Sequence, residues 1–234
     1  IPSDSMRSMA RLDSDTCFKM VTDDIAYINN GSLKRKYVSD IWETFKESKG
    51  LILDLRNYPS DFPIFDIGKL LVEKPVPFAQ FTNGNLKTPG LFSFHDDDVA
   101  YVGISLFAAK RIKKPFVSSI VTKLTNTEVY KGKVVILVNE QTQSSSEYHA
   151  MAYQKASNAT VIGSTTAGAD GNVTFFYLPG GIKTCITGIG VYYPDGTETQ
   201  RVGIVPDIVV KPTIQGIREG RDELVEKAIE IINQ

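Results

Sequence analysis

Apolar and polar positions settle into a rhythm only from Asp24 onward. Residues 1–16 are polar and patternless and read as a linker remnant, which leaves 17–234 as one core domain. IAYIN (25–29) reads as a strand. Between Lys34 and Ser48 the apolar Tyr37, Val38, Ile41, Trp42 and Phe45 recur mostly at spacings of three and four, which predicts a helix that buries one face. Gly50 ends that helix, and LILDLR (51–56) is apolar almost throughout, the pattern of a strand covered on both sides. A second helix is predicted over Asp66–Val72. Residues 82–98 hold Asn, Gly, Pro and an Asp triplet and predict a loop or a lid. Strands are predicted at 99–106, 116–122 and 133–138 (KVVILV), a helix at 144–156 and a short strand at 160–163. The glycine-rich STTAGADG (164–171) leads into extended segments at 173–178, 182–186, 189–193 and 204–210. The tail DELVEKAIEII closes the chain as an amphipathic helix with Leu224, Val225, Ala228, Ile229 and Ile232 on one face. Strands alternating with helices, with hairpins among them, predict an α/β domain built on a mixed sheet.

Composition narrows the function more than the fold. The 234 residues are 42% hydrophobic and 23% charged, as in an ordinary globule with a sizeable core. Twenty-six basic residues against 27 acidic ones give a net charge of −1, so charge offers no case for nucleic acid or a membrane surface. No apolar run approaches the roughly 20 residues a bilayer span needs. The opening IPSDSMRSMARLDSD has neither an initiator Met nor a signal peptide, which predicts a mature or trimmed fragment. Cys17 and Cys185 are too few for a disulfide framework and read as two buried thiols, with a single pairing as the alternative. The two histidines, His95 and His149, stand apart from each other and from the cysteines. No metal-ligand spacing results, and neither metal nor organic cofactor is expected.

Chemistry is concentrated in KVVILVNEQTQSSSEYHAMAYQ. A buried strand delivers the chain into a short polar loop, and a helix starts at the serines. A serine there meets the free N–H groups and the positive end of the helix dipole, which favour an alkoxide or a tetrahedral oxyanion. Ser144 and Glu147 also have the Ser-x-x-Glu spacing of a capping box, so the stretch alone leaves a helix cap and a nucleophile both open.

Four ordered segments resemble one family. TQSSSE (142–147) resembles the TASAAE or SASASE signature of C-terminal-processing (tail-specific) serine peptidases, in which the serine three before the glutamate is the nucleophile. That position is Ser144. GLILDLRNYPSD (50–61), VIGSTTAGADG (161–171) and DGTETQRVGIVPDIVV (195–210) resemble the family's strand-and-turn, glycine-rich and closing motifs. The resemblance implies the spiral of strand–strand–helix units shared by the Clp protease and crotonase group. It also implies oxyanion donors at the backbone N–H groups of Ser145 and Ser60. The lysine base of the bacterial housekeeping members falls at Ala169, so the sequence resembles the tricorn-core and chlamydial-protease-like branch, which pairs a histidine base with a glutamate. The glutamate's position is Gln200. A glutamine can orient an imidazole but cannot stabilise its cation. Glu198, on the same side of an extended segment, is the alternative orienter. The family's histidine lies upstream, in a D-x-H segment absent from this sequence. His149, five residues beyond Ser144, is rotated away from it on the helix, and His95 sits in the expected loop; both stay as weaker alternatives for the base. Asp54 and Arg56 read as an ion pair bracing the turn.

The expected partner is therefore a polypeptide, held along a sheet edge and hydrolysed through an acyl-enzyme on Ser144. The resemblance further implies an extracytoplasmic place, periplasmic or as a cell-envelope lipoprotein with a lipid anchor in a precursor. Two rival readings remain: a degenerate binding module of the same fold, suggested by Gln200, Ala169, Ser60 and Asp61, and a crotonase-like acyl-CoA enzyme.

Overall fold

The computed structural model describes residues 17–84, 92–104 and 124–234, with the backbone alone at 83–84 and 92–98. Its centre is a six-stranded sheet in the order β1-β2-β3-β6-β7-β11. The strands are β1 (Phe18–Thr22), β2 (Ile25–Asn29), β3 (Gly50–Asp54), β6 (Lys133–Val138), β7 (Ala159–Gly163) and β11 (Ile208–Val209). β1 runs antiparallel to β2 and the other neighbours are parallel, so the sheet is mixed, as the alternation of elements predicted. β3 is buried at every residue and β6 at all but its first. Their unbroken apolar runs follow, since a parallel strand inside such a sheet is covered on both faces.

One layer over the sheet is made by α1 (Val38–Phe45), α2 (Ile64–Leu71) and α3 (Ser145–Tyr153). The main core lies beneath them, around Phe45, Leu51, Leu53, Ile136, Met151 and Tyr153. The opposite face is closed by α5 (Glu223–Asn233), whose Leu224, Ala228 and Ile232 pack on Ile25, Ile52 and Val135. Between β11 and α5 lies the single turn of helix α4 (Ile214–Arg218). The predicted helix over 34–48 divides into a 3-10 turn at Arg35–Tyr37 and α1.

Two smaller sheets complete the architecture. β4 (Val76–Gly84) and β5 (Phe92–Val102) form an antiparallel hairpin, with β10 (Val191–Tyr192) on the outer side of β4. This corrects the expectation of a loop or lid at 82–84 and 92–98; residues 85–91 lie outside the described residues. Pairing through Thr82↔Phe94 and Gly84↔Phe92 carries the strands past the polar residues, because a ladder is held by backbone bonds whatever its side chains. The predicted strand at 116–122 and the linker remnant at 1–16 lie outside the described residues. β8 (Val173–Leu178) and β9 (Ile182–Thr187) pair as a hairpin that is solvent-exposed along both strands.

The buried pair Asp54 and Arg56 locks the end of β3 to α5. Arg56 donates Nε and Nη2 to the Asp54 carboxylate at 3.0 and 2.7 Å, and Nη1 and Nη2 to Asp222 at 2.9 and 2.7 Å. Asp222 is the N-cap of α5 and accepts from Val225 N–H, while Tyr27 donates its hydroxyl to Asp54 at 2.6 Å. Both cysteines are free thiols, and the expected burial fails: Cys17 is partly covered and Cys185 is exposed on β9.

Candidate active site

Ser144 sits where the loop after β6 turns into α3. Its backbone is at φ 51 and ψ −118, one of two non-glycine residues with positive φ among the described residues. An ordinary N-cap serine has extended, β-region torsions. Ser144 does not, and its torsions lie outside even the small left-handed well open to L-residues.

The loop is pinned on three sides. Thr142 donates its hydroxyl to Leu55 O at 3.1 Å, at the exit of β3, and its carbonyl accepts Ala167 N–H at 2.9 Å. Ser146 donates to Asn57 O at 3.2 Å. The decisive contacts belong to Glu147, fully buried in the first turn of α3. Its Oε2 accepts Ser144 N–H and Ala169 N–H, both at 2.9 Å; its Oε1 accepts Gly168 N–H at 2.8 Å and the Thr166 hydroxyl at 2.5 Å. One carboxylate thus fastens the Ser144 turn to the glycine-rich turn. Thr166 Oγ1 in turn accepts Ile204 N–H at 2.7 Å, bringing in the closing segment. Gly168, at φ 64, is required in that turn: a Cβ there would stand 3.0 Å from the Arg201 backbone.

Ser144 and Ser145 open onto a cleft of about 420 Å³. One wall is aromatic, from Tyr58, Phe62, Phe81 and Tyr148. The Tyr148 ring lies 6.1 Å from Phe62, near parallel, and 5.9 Å from Phe81. The rest of the lining comes from Asp170, Gly171, Asn172, Ile189 and Val191, near the foot of the β8–β9 hairpin, with Val191 paired to Phe81 across β10 and β4. A larger cavity of about 650 Å³ around Trp42 and Lys69 contains neither Ser144 nor its neighbours.

The other expected site residues are distributed unevenly. Ser145 follows Ser144 in the first turn of α3, where no intrahelical carbonyl can take its N–H. Ser60 has negative φ, so the glycine it replaces in the family pattern is not needed for conformation. Its hydroxyl donates to Leu33 O and its carbonyl accepts Lys34 Nζ, while its neighbours Tyr58 and Phe62 line the cleft. Gln200 has its amide committed to backbone. Nε2 donates to Asp170 O at 2.8 Å and Ile189 O at 2.9 Å, and Oε1 accepts Val191 N–H at 3.4 Å. It clamps the foot of the hairpin. Glu198 is exposed, 3.7 Å from Arg201. His149 is fully buried one turn along α3 from Ser145, whose hydroxyl oxygen lies 3.5 Å from its Nδ1. Its Nδ1 donates to Ser145 O at 2.5 Å, its ring meets Phe62 and Tyr153 edge-on, and Nε2 has no partner. Burial holds its pKa down to about 4 against the pull of the Ser145 carbonyl, so the ring is neutral at physiological pH. His95 falls within β5, and its side chain lies outside the described residues. Ala169 leaves no side-chain amine at the family's lysine position.

Asp170 was not anticipated. It is 6% exposed; Oδ1 accepts Gly171 N–H at 2.7 Å and Oδ2 has no partner. Burial, reinforced by the nearby Glu147 charge, lifts its carboxyl to about 7 against the Gly171 hydrogen bond. The only sequence signal is a lone acid within AGADG, beside the Ala169 position. Among the described residues no group of His, Cys, Asp and Glu is arranged to hold a metal ion, and no helix is long and apolar enough to cross a membrane.

Comparison with known proteins decides the family. The model of Peptidase family S41 matches residues 24–210. This chain belongs to that family. A carboxy-terminal-processing protease of Bartonella bacilliformis is 34% identical over 89 residues, covering 38% of this chain and 20% of that protein. A Chlamydia trachomatis protein is 30% identical over 109 residues, covering 45% of this chain and 18% of that one. The matched stretches thus take in about a fifth of these relatives' length. Among solved S41-like structures, a candidate peptidase of Parabacteroides merdae superposes with a TM-score of 0.71 at 20% identity, over 99% of this chain and 70% of that one. Mature CPAF in complex with lactacystin gives 0.62 at 17% identity, over 88% and 50%, and the tricorn protease 0.53 at 18%, over 89% and 17%. At those identities the likeness fixes the fold: the mixed α/β arrangement of S41 peptidases, of the ClpP/crotonase type.

Proposed function

We propose that this chain is the core of a serine-type, C-terminal-processing peptidase that hydrolyses polypeptides through an acyl-enzyme on Ser144. The observation that carries the reading is the Ser144 backbone. A residue with φ 51 and ψ −118 at a strand–loop–helix junction stores strain of about 1–3 kcal/mol, which a capping role does not need. Such strain persists where the surroundings hold it, and here the Glu147 carboxylate does so through the Ser144 N–H. In the reaction the Ser144 hydroxyl gives its proton to a base as its oxygen attacks the peptide carbonyl, and the N–H groups of Ser145 and Ser60 receive the oxyanion. Collapse of the tetrahedral intermediate breaks the C–N bond, the amine leaves carrying that proton, and water then hydrolyses the ester, releasing the acid and restoring the hydroxyl. The proton acceptor comes from outside the described side chains, since His149 has its Nδ1 committed to Ser145 O and its ring enclosed by Phe62 and Tyr153, and Ala169 has no amine. An extended polypeptide suits a cleft flanked by β-hairpins. An extracytoplasmic place is part of the reading, supported by family resemblance and by the shared fold of a Streptococcus agalactiae lipoprotein (TM-score 0.50).

A second reading, a binding module that has lost the chemistry, draws on Gln200, whose amide is wholly committed to backbone groups. A fluorophosphonate probe separates the two. Labelling of the protein at Ser144, lost in Ser144→Ala, supports the peptidase. A folded protein that never labels supports the module.

A further inference from the structure

Asp170 is an acid without an occupation. Its unpartnered carboxyl oxygen is shielded from solvent, it belongs to the cleft shared with Ser144, and among the described residues no cationic side chain lines that cleft. A buried polar atom left unpaired is destabilising and is ordinarily found with a partner. The same cleft is lined by Tyr58, Phe62, Phe81 and Tyr148. The electron-rich faces of aromatic rings attract ammonium and guanidinium groups, and they also cover the methylenes that carry them.

We propose that this cleft is a subsite for a basic side chain, a lysine or arginine next to the scissile bond, whose alkyl stem lies along the aromatic wall and whose cationic head pairs with Asp170. The proposal rests on reading Ser144 as the nucleophile: a side chain seated beside Ser144 and Ser145 belongs to a residue whose carbonyl the hydroxyl can reach. An incoming cation would supply the missing partner of Oδ2 and offset the nearby Glu147 charge, which is otherwise compensated by the N–H groups of the two turns. It would also favour the ionised form of a carboxyl that burial holds up near 7. Discrimination against an uncharged isostere should be strong, because rejecting the cation leaves the acid unpaired.

The test compares two capped tripeptides, Ala-Ala-Lys and Ala-Ala-norleucine amides, titrated at pH 8 into the folded 234-residue chain and into its Asp170→Asn variant. Amide chemical shifts of Gly171 and Asn172 are followed. The lysine peptide should bind at least about tenfold more tightly, the factor that about 1.4 kcal/mol supplies, and that ratio should fall toward one in Asp170→Asn. Asp170→Glu, which keeps the charge, should retain a preference. Equal affinities in the wild-type chain, tighter norleucine binding, or no shift with either peptide up to about 10 mM would overturn the subsite. Fluorophosphonate labelling of Ser144 is scored separately, so a failed nucleophile and a failed subsite give different results.

Discussion

Replacing Glu147 tests the construction of the site most directly. The carboxylate accepts from Ser144 N, Ala169 N, Gly168 N and the Thr166 hydroxyl, and the side chain is fully buried. Glutamine fills the same volume, yet one of its two terminal positions becomes a donor. If the amide nitrogen takes the Oε2 place, Ser144 N–H and Ala169 N–H both lose their acceptor. If it takes the Oε1 place, Gly168 N–H loses its own, and the Thr166 hydroxyl, already accepting from Ile204 N–H, must turn round. The second arrangement is cheaper. It strands one buried donor, at about 1–3 kcal/mol, and turns the surviving charge-assisted bonds into neutral ones. Glu147→Gln should therefore lose about 2–4 kcal/mol, a large share of a typical 5–15 kcal/mol domain. Glu147→Ala strands every donor and leaves a cavity, so its loss should be larger still. Urea unfolding followed by tryptophan fluorescence and circular dichroism together measures both. A Glu147→Gln loss below about 0.5 kcal/mol would refute the claim that this carboxylate holds the two turns together.

Ser144→Gly should raise stability by about 1 kcal/mol, because glycine adopts φ 51 without strain, whereas Ser144→Ala should not; thermal unfolding distinguishes them. Arg56→Met leaves the Asp54 carboxylate buried without its cation and should cost about 3–5 kcal/mol by the same denaturant assay, while Asp222→Asn, at the partly exposed end of the network, should cost less. Two buried groups set opposing pH slopes. Asp170, held up to about 7 from 3.8, keeps a proton that the unfolded chain sheds, so stability falls as pH rises through that window; His149, held down to about 4 from 6.5, refuses a proton that the unfolded chain takes, so stability falls as pH drops. Each is worth about 1.4 kcal/mol per pH unit, so between about pH 4 and 6.5 Asp170→Asn should tilt the profile toward high pH and His149→Gln toward low pH; parallel profiles in denaturant titrations would contradict both assignments.

Much of the fold could be read from runs and periods. KVVILV and GLILD are strands whose burial on both sides leaves an unmistakable apolar signature, and the spacing of Leu224, Ala228 and Ile232 marks the face of α5. The pairing of 82–84 with 92–94 was not legible, since backbone pairing of this kind leaves no hydrophobic trace among Asn, Gly and Asp. β1 was missed for a related reason: FKMVT is half exposed and stands at the sheet edge. At the site, the register of Ser144 against Glu147 was visible, and the helical rotation of His149 away from Ser144 followed from 100° per residue. The work of Glu147 was not visible, because three of its donors come from residues 166–169, brought near only by the tertiary fold. Asp170 escaped notice because its significance lies in a missing partner, and a missing partner is a property of space rather than of sequence.

The anchoring of Ser144 has an evolutionary corollary. Glu147 grips the serine by its backbone N–H, and the glycine-rich turn by two more, so the scaffold does not depend on the hydroxyl that would do the chemistry. A lineage could exchange Ser144 for another small residue and keep the cleft, the aromatic wall and Asp170 intact. Selection on the frame is thereby uncoupled from selection on the proposed reaction, and a single substitution at Ser144 would remove the nucleophile of that proposal while leaving a cleft able to hold a ligand.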